Sequence, residues 1–230
     1  MRHLRIVVAG TFVLGGAGWI ALANPAGAAS TTVALWHMED TGSTMSDSSG
    51  NGHNGTLSSV TTGQTGFSGK AFGFSKNPAL VTVPSSSDLN PGSSTFTVTT
   101  HANFTKLPST KTGDDYDVIR KGLSSTSGGN WKQEITLSGR GSCTGTASSG
   151  SLTASGGKVL NDGKWHTITC VFTTSSIRLQ VDGSQVASKS GKMGSISNKD
   201  SLTIGAKIIR STSDGDQYVG LIDEVSITKS

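Results

Sequence analysis

The sequence is poor in acidic residues, in helical patterning and in clustered positive charge. Only three glutamates occur among its 230 residues, and no window carries apolar side chains at helical spacing over three turns. Because that period is the main signal of an amphipathic helix, its absence argues against a helical fold. Lysine and arginine do not cluster, so nothing in the charge pattern indicates nucleic acid or an anionic membrane as a partner.

Catalytic patterns are missing as well. No H-x-H or H-E-x-x-H spacing relates the histidines, which argues against zinc, and no serine stands in G-x-S-x-G. Glycoside hydrolysis usually needs two carboxylates, yet no strand carries such a pair, and Glu134 stands alone among Lys132, Gln133 and Thr136. The sequence therefore predicts a protein that is not an enzyme.

Residues 1–29 have the pattern of a secretory signal peptide. Arg2 and Arg5 precede a long apolar stretch interrupted by glycines, and small residues at 26–29 offer a cleavage site. A retained membrane anchor is the alternative, which the glycines and the proline at the end of the stretch disfavour. No later stretch is long and apolar enough to span a bilayer. We expect a secreted protein whose residues 30–230 form one domain outside the membrane.

The two cysteines, Cys143 and Cys170, both lie in the part predicted to be exported. In an oxidising compartment the expected arrangement is one disulfide. It would close a loop of roughly 27 residues and contribute about 3 kcal/mol in the chain-entropy account. A cysteine nucleophile or a metal-binding pair is the alternative, but neither has supporting neighbours in the sequence.

After residue 30, short stretches of alternating apolar and polar residues recur between turns rich in Gly, Ser, Asn and Asp. This pattern is typical of an all-β sandwich made of two antiparallel sheets. Asp182-Gly183 predicts a tight hairpin turn, and the Ser/Thr/Gly-rich stretches 85–94, 124–130 and 141–157 are interpreted as loops. The clearest predicted strands cover residues 32–38, 71–74, 80–83, 96–104, 117–121, 131–137, 165–173, 177–181, 202–206 and 218–227.

Two short motifs suggest ligands but lack the context that those ligands require. Residues 50–55 match G-x-G-x-x-G, yet no buried strand precedes them and no helix follows, so a Gly/Asn turn is expected. Read from Asp47, the same segment resembles the first half of a calcium loop but has Ser58 at the twelfth position, so it is not an EF-hand. The acidic stretches 114–117 and 214–216 are expected to be solvated turns.

Asp223 and Glu224 interrupt the last apolar strand. Alternation sends the two side chains to opposite faces, so one of them is expected to point inward. A buried carboxylate needs partners or a metal ion, which makes a structural Ca²⁺ near this strand a candidate.

The aromatic residues divide by their flanking sequence. Trp36 and Trp165 lie in apolar strand patterns, and Trp131 alternates with inward-facing positions, so all three are expected to be buried. Tyr116 stands among aspartates and is expected to face solvent, where an aromatic ring can stack on a sugar.

Four segments, in this order, resemble the laminin-G-like domains common in secreted proteins, especially bacterial ones. They are 34–40 (ALWHMED), 47–57 (DSSGNGHNGTL), 162–167 (DGKWHT) followed by 179–183 (LQVDG), and 218–227 (YVGLIDEVSI). The resemblance implies a concanavalin A-like jelly roll of two antiparallel sheets with one concave face.

The resemblance also implies a structural Ca²⁺ that holds the first and last strands together. Asp223 corresponds to the aspartate of the family's last strand, and Glu39 or Asp40 to the acid after the first-strand tryptophan. Backbone carbonyls near residues 67–73 would complete the coordination of the ion.

Fold and export together suggest a secreted, non-catalytic binding module with a glycan or polysaccharide as its partner. The alternatives are a module that binds an extracellular protein and, with less support, a polysaccharide-degrading enzyme of the same superfamily. We place the expected ligand surface on the polar faces of the middle strands, near His101, Lys121, Lys132 and Arg140.

Overall fold

A computed structural model describes residues 29–75, 78–109, 115–207 and 216–230. The predicted signal segment lies outside this part of the chain except for Ala29. None of the described residues is helical, so none of them forms a helix that could cross a membrane. The strands are β1 (Thr31–Trp36), β2 (Thr44–Met45), β3 (Gly55–Ser58), β4 (Thr61–Thr65), β5 (Lys70–Phe74), β6 (Leu80–Val83), β7 (Phe96–Asn103), β8 (Asp115–Lys121), β9 (Asn130–Thr136), β10 (Gly141–Ala147), β11 (Gly150–Gly156), β12 (His166–Phe172), β13 (Ser176–Val181), β14 (Ser184–Ser190), β15 (Leu202–Ile204) and β16 (Gly220–Lys229).

The strands form two antiparallel sheets, as predicted. Sheet A has the order β14-β13-β12-β7-β16-β5-β4, and β1 pairs with β16 beside that path. Sheet B has the order β11-β10-β9-β8-β15-β6-β3-β2. The first and last strands of the sandwich are therefore neighbours, and the middle strands β8, β9 and β10 lie side by side in sheet B.

Alternation along the strands supplies the core between the sheets. In β7, Phe96, Val98 and Ala102 are fully buried, while Thr97, Thr99, His101 and Asn103 point to the other face. Trp131 of β9 packs against Phe96 with ring centroids 5.2 Å apart, which joins the inner faces of the two sheets. We call the face of each sheet that points away from this core its outer face.

The stretch 141–157 is not a loop, because it forms most of the hairpin β10–β11. Its inward-facing positions hold mostly small residues, such as the buried Cys143 and Ala154, and not the large apolar residues that mark the other strands. The turn at Asp182-Gly183 is confirmed, since both residues have positive φ (50° and 78°) between β13 and β14. Residues 50–54 form turns and loop that lead directly into strand β3, so no helix follows them.

The burial of the aromatic residues agrees with prediction at two positions and differs at two. Trp36 and Trp131 are fully buried, and their indole N–H groups donate to the carbonyls of His53 and Leu89. Tyr116 is 3% exposed, so the expectation that it faces solvent is wrong. It lies on β8, where alternation turns it into the core despite its acidic neighbours. Trp165 is only half-buried, because it precedes β12 and lies outside the core.

The predicted disulfide is present. Cys143 of β10 and Cys170 of β12 are bonded, with Cα atoms 5.7 Å apart. Since β10 belongs to sheet B and β12 to sheet A, the bond crosses the core and ties the two layers together.

Candidate functional site

The four residues predicted to surround a ligand lie in different places. His101 is on the outer face of sheet A, Lys132 is on the outer face of sheet B, and Arg140 is exposed in the turn between β9 and β10. Lys121 is not on a surface. The structure therefore does not bring the four together, and Lys132 is the member that leads to a cluster of charged groups.

Lys121 is fully buried, so it cannot contribute to a solvent-facing polar surface. Its Nζ donates to the Asn90 Oδ1 at 3.1 Å, to the Asn198 carbonyl at 2.8 Å and to the Asn198 Oδ1 at 3.0 Å. Burial lowers the pKa of Lys121 to about 8. The side chain ties the ends of two loops together from inside the molecule.

Strand pairing builds a charged cluster on the outer face of sheet B. Asp117 of β8 lies opposite Glu134 of β9, and Arg120 lies opposite Lys132. A bulge between Asp117 and Ile119 shifts the alternation, so that Asp117 and Arg120 point to the same side. Directly opposite residues of antiparallel strands share a face, so this register alone places four charged side chains together.

A cavity of about 250 Å³ opens beside these charges. We call it the sheet-B cleft; its polar walls include Arg120, Asn130, Lys132, Thr144, Thr146, Lys207 and Asp216. Asp117 and Glu134 lie beside these residues and are 0% and 4% exposed.

Each cation of the cleft is paired with an acid. Arg120 Nη1 lies 2.6 Å from Asp117 Oδ2, and Lys207 Nζ lies 2.8 Å from Asp216 Oδ2. Lys132 contacts Glu134 closely and lies 3.4 Å from Asp115. Each carboxyl group of the cluster thus has a cationic neighbour.

Burial governs the protonation of this cluster. It raises the pKa of Glu134 to about 8, and a hydrogen bond with Asp115 adds to that rise against the opposing charge of Lys132. Burial also raises the pKa of Asp117, although the charge of Arg120 opposes the shift. With a pKa of about 8, Glu134 holds a proton at neutral pH.

Asp115, Asp117 and Asp216 could be taken for a metal site. Their carboxylate oxygens lie within 4.8 Å of one another, and none of the three lies in a solvated turn as the sequence suggested. Arg120, Lys132 and Lys207 already balance their charge, however. We therefore assign no metal ion to this cluster.

The buried polar atoms without hydrogen-bond partners mark the same face. In the described part of the chain they are Asp115 Oδ1, Asp117 Oδ1, Asn130 Nδ2 and Thr203 Oγ1. Thr203 lies opposite Arg120 and Asn130 lies opposite Thr146, so all four belong to the outer face of sheet B. Buried polar groups are normally satisfied, and a cluster of exceptions points to water or ligand at this place.

Sequence reasoning missed most of this cluster. The available signal was the alternation of Asn130, Lys132 and Glu134 along a predicted strand, which places three polar side chains on one face. The bulge that turns Arg120 to the same face as Asp117 has no signature in the sequence. The pairing of β8 with β9 and β15 likewise depends on tertiary packing.

The predicted metal ligands meet at a different place, the turn of residues 66–70 between β4 and β5. Asp223 Oδ2 accepts the Ser68 N–H at 2.9 Å, and Glu39 Oε1 accepts the Lys70 N–H at 2.8 Å. Asp40 points elsewhere, because its two oxygens accept the N–H and the hydroxyl of Ser46. The structure thus brings Asp223 and Glu39 to one turn and leaves Asp40 out of it.

Asp223 is fully buried, but by the turn and not by the opposite sheet. It lies opposite His101 on the outer face of sheet A, and the turn of residues 66–70 covers it. A bulge follows Asp223 in β16. Within it, Glu224 has a positive φ of 46° and is half-buried.

The residues at this turn fit a hard cation. Burial raises the pKa of Asp223, backbone N–H groups of Ser68 and Glu224 lower it, and the nearby Glu224 carboxylate raises it again. The hydrogen bonds of Asp223 to described residues come from backbone N–H groups, and no lysine or arginine in the described part of the chain pairs with it. A Cβ on Gly66 would lie 2.6 Å from Asp223 Oδ2, which shows how closely the backbone approaches this carboxylate. Carboxylate and backbone oxygens are the ligands that Ca²⁺ prefers.

The two layers and their connections define a jelly-roll β-sandwich with polar outer faces. The chain belongs to the Laminin_G_3 family of the concanavalin A-like lectin/glucanases superfamily, whose sequence profile matches residues 75–230. No curated protein shows significant sequence similarity to it.

Solved structures share the fold at low sequence identity. The binding domain of Paraclostridial Mosquitocidal Protein 1 has a TM-score of 0.67 and 17% identity, over 86% of this chain and 48% of that one. Domain 4 of AbnA, a GH43 extracellular arabinanase from Geobacillus stearothermophilus, was solved with arabinotriose. It has a TM-score of 0.63 and 15% identity, over 87% of this chain and 93% of that one. The binding domain of Botulinum Neurotoxin DC in complex with SialylT has a TM-score of 0.61 and 14% identity, over 86% of this chain and 47% of that one. The chain thus spans about half the length of the toxin domains.

Proposed function

We propose that this protein is a secreted, non-catalytic carbohydrate-binding module that holds a glycan in the sheet-B cleft. Secretion rests on the signal-like pattern of residues 1–29, which lie outside the described structure except for Ala29. The binding role rests on the family and on the cleft itself.

The observation that carries the proposal is the cluster of unpartnered polar atoms on the outer face of sheet B. Asn130 belongs to the cleft wall and its Nδ2 is buried without a partner, so an ordered water can join this donor to a sugar hydroxyl. Ordered water extends the reach of such hydroxyls to the carboxylate oxygens of Asp115 and Asp117 behind the wall. The balanced charge of the cluster favours a neutral, hydroxyl-rich ligand over a strongly charged one.

Solved relatives support a glycan as the ligand class. Domain 4 of AbnA was solved with arabinotriose, and one toxin domain was solved with SialylT. A related toxin domain was solved with rat synaptotagmin II, so a protein ligand is the second candidate. Binding without hydrolysis is supported by the solved neighbours that are named as binding domains.

We also propose a structural Ca²⁺ at Asp223 and Glu39. The ion would neutralise Asp223 and hold the turn of residues 66–70 against β16. Its role is structural, since it lies on sheet A and the cleft lies on sheet B.

Asparagine 130 offers the sharpest test of the cleft. Asn130→Ala removes a donor that has no partner in the free protein, so the free energy of unfolding should stay the same or rise slightly. Binding should weaken about fivefold to tenfold, because one hydrogen bond to the ligand is lost. Native gels containing soluble arabinan, xylan or mixed-linkage β-glucan measure this through the retardation of the protein.

Asn161→Ala is the matched control, since this asparagine lies in the loop before β12 and its amide already donates to the Thr105 carbonyl. It should keep the mobility of the wild type in each gel. Retardation that Asn130→Ala leaves unchanged would remove the cleft from the proposal. Failure of the wild type to bind any polysaccharide, with capture of a protein ligand instead, would favour the second candidate.

A further inference from the structure

We propose that Phe67, with His101 and Trp165, forms a second contact for the glycan, on which the face of one sugar ring stacks. We call these three residues the aromatic platform. It lies on the outer face of sheet A, on the opposite side of the sandwich from the sheet-B cleft. The inference rests on the proposed function in taking a glycan as the ligand, but not on the cleft.

Phe67 is exposed in a way that the fold does not require. Phe67 is 52% exposed, and the other exposed large hydrophobic residues in the described part of the chain are the aliphatic Leu107, Leu137 and Val159, at 41–44%. Every other described phenylalanine belongs to the core. Single exposed hydrophobic residues are common on protein surfaces, but Phe67 differs from the three aliphatic ones because its ring is stacked on a second ring.

The ring is held firmly in place. Its centroid lies 3.9 Å from that of the His101 imidazole with an interplanar angle of 24°, and the Trp165 ring approaches edge-on at 6.4 Å. A flexible aromatic side chain loses freedom when a ligand binds, and this stacking has already fixed it. One face of Phe67 is occupied by His101, which leaves the other face for a ligand.

The backbone beneath the ring is fixed as well. The Gly66 N–H donates to the Gly69 carbonyl at 3.1 Å, which closes the turn. The N–H group of Ser68 donates to Asp223 of β16, and the N–H group of Lys70 donates to Glu39, which follows β1. Two hydrogen bonds therefore hold the turn against other parts of the chain. The groups that fit Ca²⁺ therefore also position Phe67.

The surroundings of the ring identify a sugar as the occupant. The outer face of sheet A next to the platform carries Thr99, Thr167 and Thr169, which are half-exposed, and the contact of His37 Nδ1 with Glu224 Oε2 at 2.8 Å. A sugar ring has an apolar face of C–H groups and a rim of hydroxyls, which matches one aromatic ring within a polar field. A stable protein interface buries about 800 Å² per partner around an apolar centre, and a single exposed ring does not supply that centre.

The test compares Phe67→Ala with Val159→Ala in the polysaccharide gels described above. Val159 is a matched control because it is also an exposed hydrophobic residue, at 44%, and it lies outside both proposed contacts. Phe67→Ala should weaken binding about tenfold, the amount expected for a lost aromatic stack. Phe67→Trp keeps an aromatic ring and should bind about as well as the wild type. Val159→Ala should also bind as the wild type does.

Two comparisons separate this inference from the cleft. If Phe67→Ala binds like the wild type while Asn130→Ala loses binding, the platform is refuted and the cleft stands. If Phe67→Ala loses binding and Asn130→Ala does not, the platform stands alone. A wild type that binds none of the polysaccharides overturns both. A change in sedimentation coefficient of Phe67→Ala, without a change in glycan binding, would show that the ring contacts a second copy of the chain.

Discussion

Single residues of the sheet-B cleft combine burial with charge, and Glu134 shows the consequence most clearly. Glu134 is 4% exposed, and Lys132 lies near both its carboxyl group and that of Asp115. Thr144 donates its hydroxyl to Glu134 Oε2 at 3.0 Å, which fixes the orientation of the group. Burial raises the pKa of Glu134 from 4.5 to about 8. The folded protein therefore holds a proton that the unfolded chain releases at neutral pH.

This shift predicts a pH-dependent stability with a defined sign. Since the folded pKa lies above the unfolded one, the contribution of Glu134 is complete below pH 4.5 and is lost as the pH rises through about 8. Glu134→Gln keeps an uncharged group of similar shape and does not titrate. Urea unfolding at several pH values should show this variant gaining stability relative to the wild type as the pH rises from 5 to 8.5. A difference that is constant over this range would mean that Glu134 is ionised in the folded state.

Among the elements, the alternating β-branched and aromatic strands were predictable, and the small-residue strands were not. Strands such as β7, β12 and β13 carry mostly apolar residues at every second position, which is enough to identify them. The hairpin β10–β11 alternates Cys, Gly, Leu and Ala with Ser and Thr, which resembles a loop by composition. Gly145 shows why a small residue is needed there, because a Cβ on it would lie 2.8 Å from the sulfur of Met193.

The disulfide joins two elements of different sheets, so its loss should weaken the sandwich. Cys143→Ala/Cys170→Ala should lower the free energy of unfolding by about 3 kcal/mol, because the unfolded chain regains the freedom of a closed loop. Urea unfolding measures the loss. Reductant should destabilise the wild type by a similar amount and leave the double variant unchanged. Equal stability of the two proteins would show that the bond contributes little to the fold.

The turn of residues 66–70 tests the proposed Ca²⁺ at the level of an element. A chelator should lower the melting temperature of the wild type by about 5–10 °C relative to saturating Ca²⁺. Asp223→Asn should melt at a reduced temperature and lose the response to Ca²⁺. Asp40→Asn is the control, because Asp40 contacts Ser46 and not the turn, and it should respond as the wild type does. A wild type that melts at one temperature with and without Ca²⁺ would refute the ion.

For the whole molecule, the two outer faces carry different chemistry. Sheet B presents a cleft of paired charges with unpartnered polar atoms, and sheet A presents one exposed aromatic ring above a buried aspartate. The sequence predicted the sandwich from its alternation and the disulfide from the export of both cysteines. It did not predict how Asp223 is buried, because the turn of residues 66–70 covers this side chain on the outer face of sheet A. It predicted one member of the cleft, Lys132, since the rest of that site is assembled by strand pairing.

The central claim is that the sheet-B cleft binds a glycan, and the side-chain amide of Asn130 reports on it directly. Titration of ¹⁵N-labelled protein with a short oligosaccharide of the polysaccharide that retards it in gels can be followed by two-dimensional NMR. We expect the Asn130 side-chain signals to shift, together with backbone signals of β8, β9 and β10. Shifts confined to other parts of the molecule, with the Asn130 signals unmoved at saturation, would contradict it.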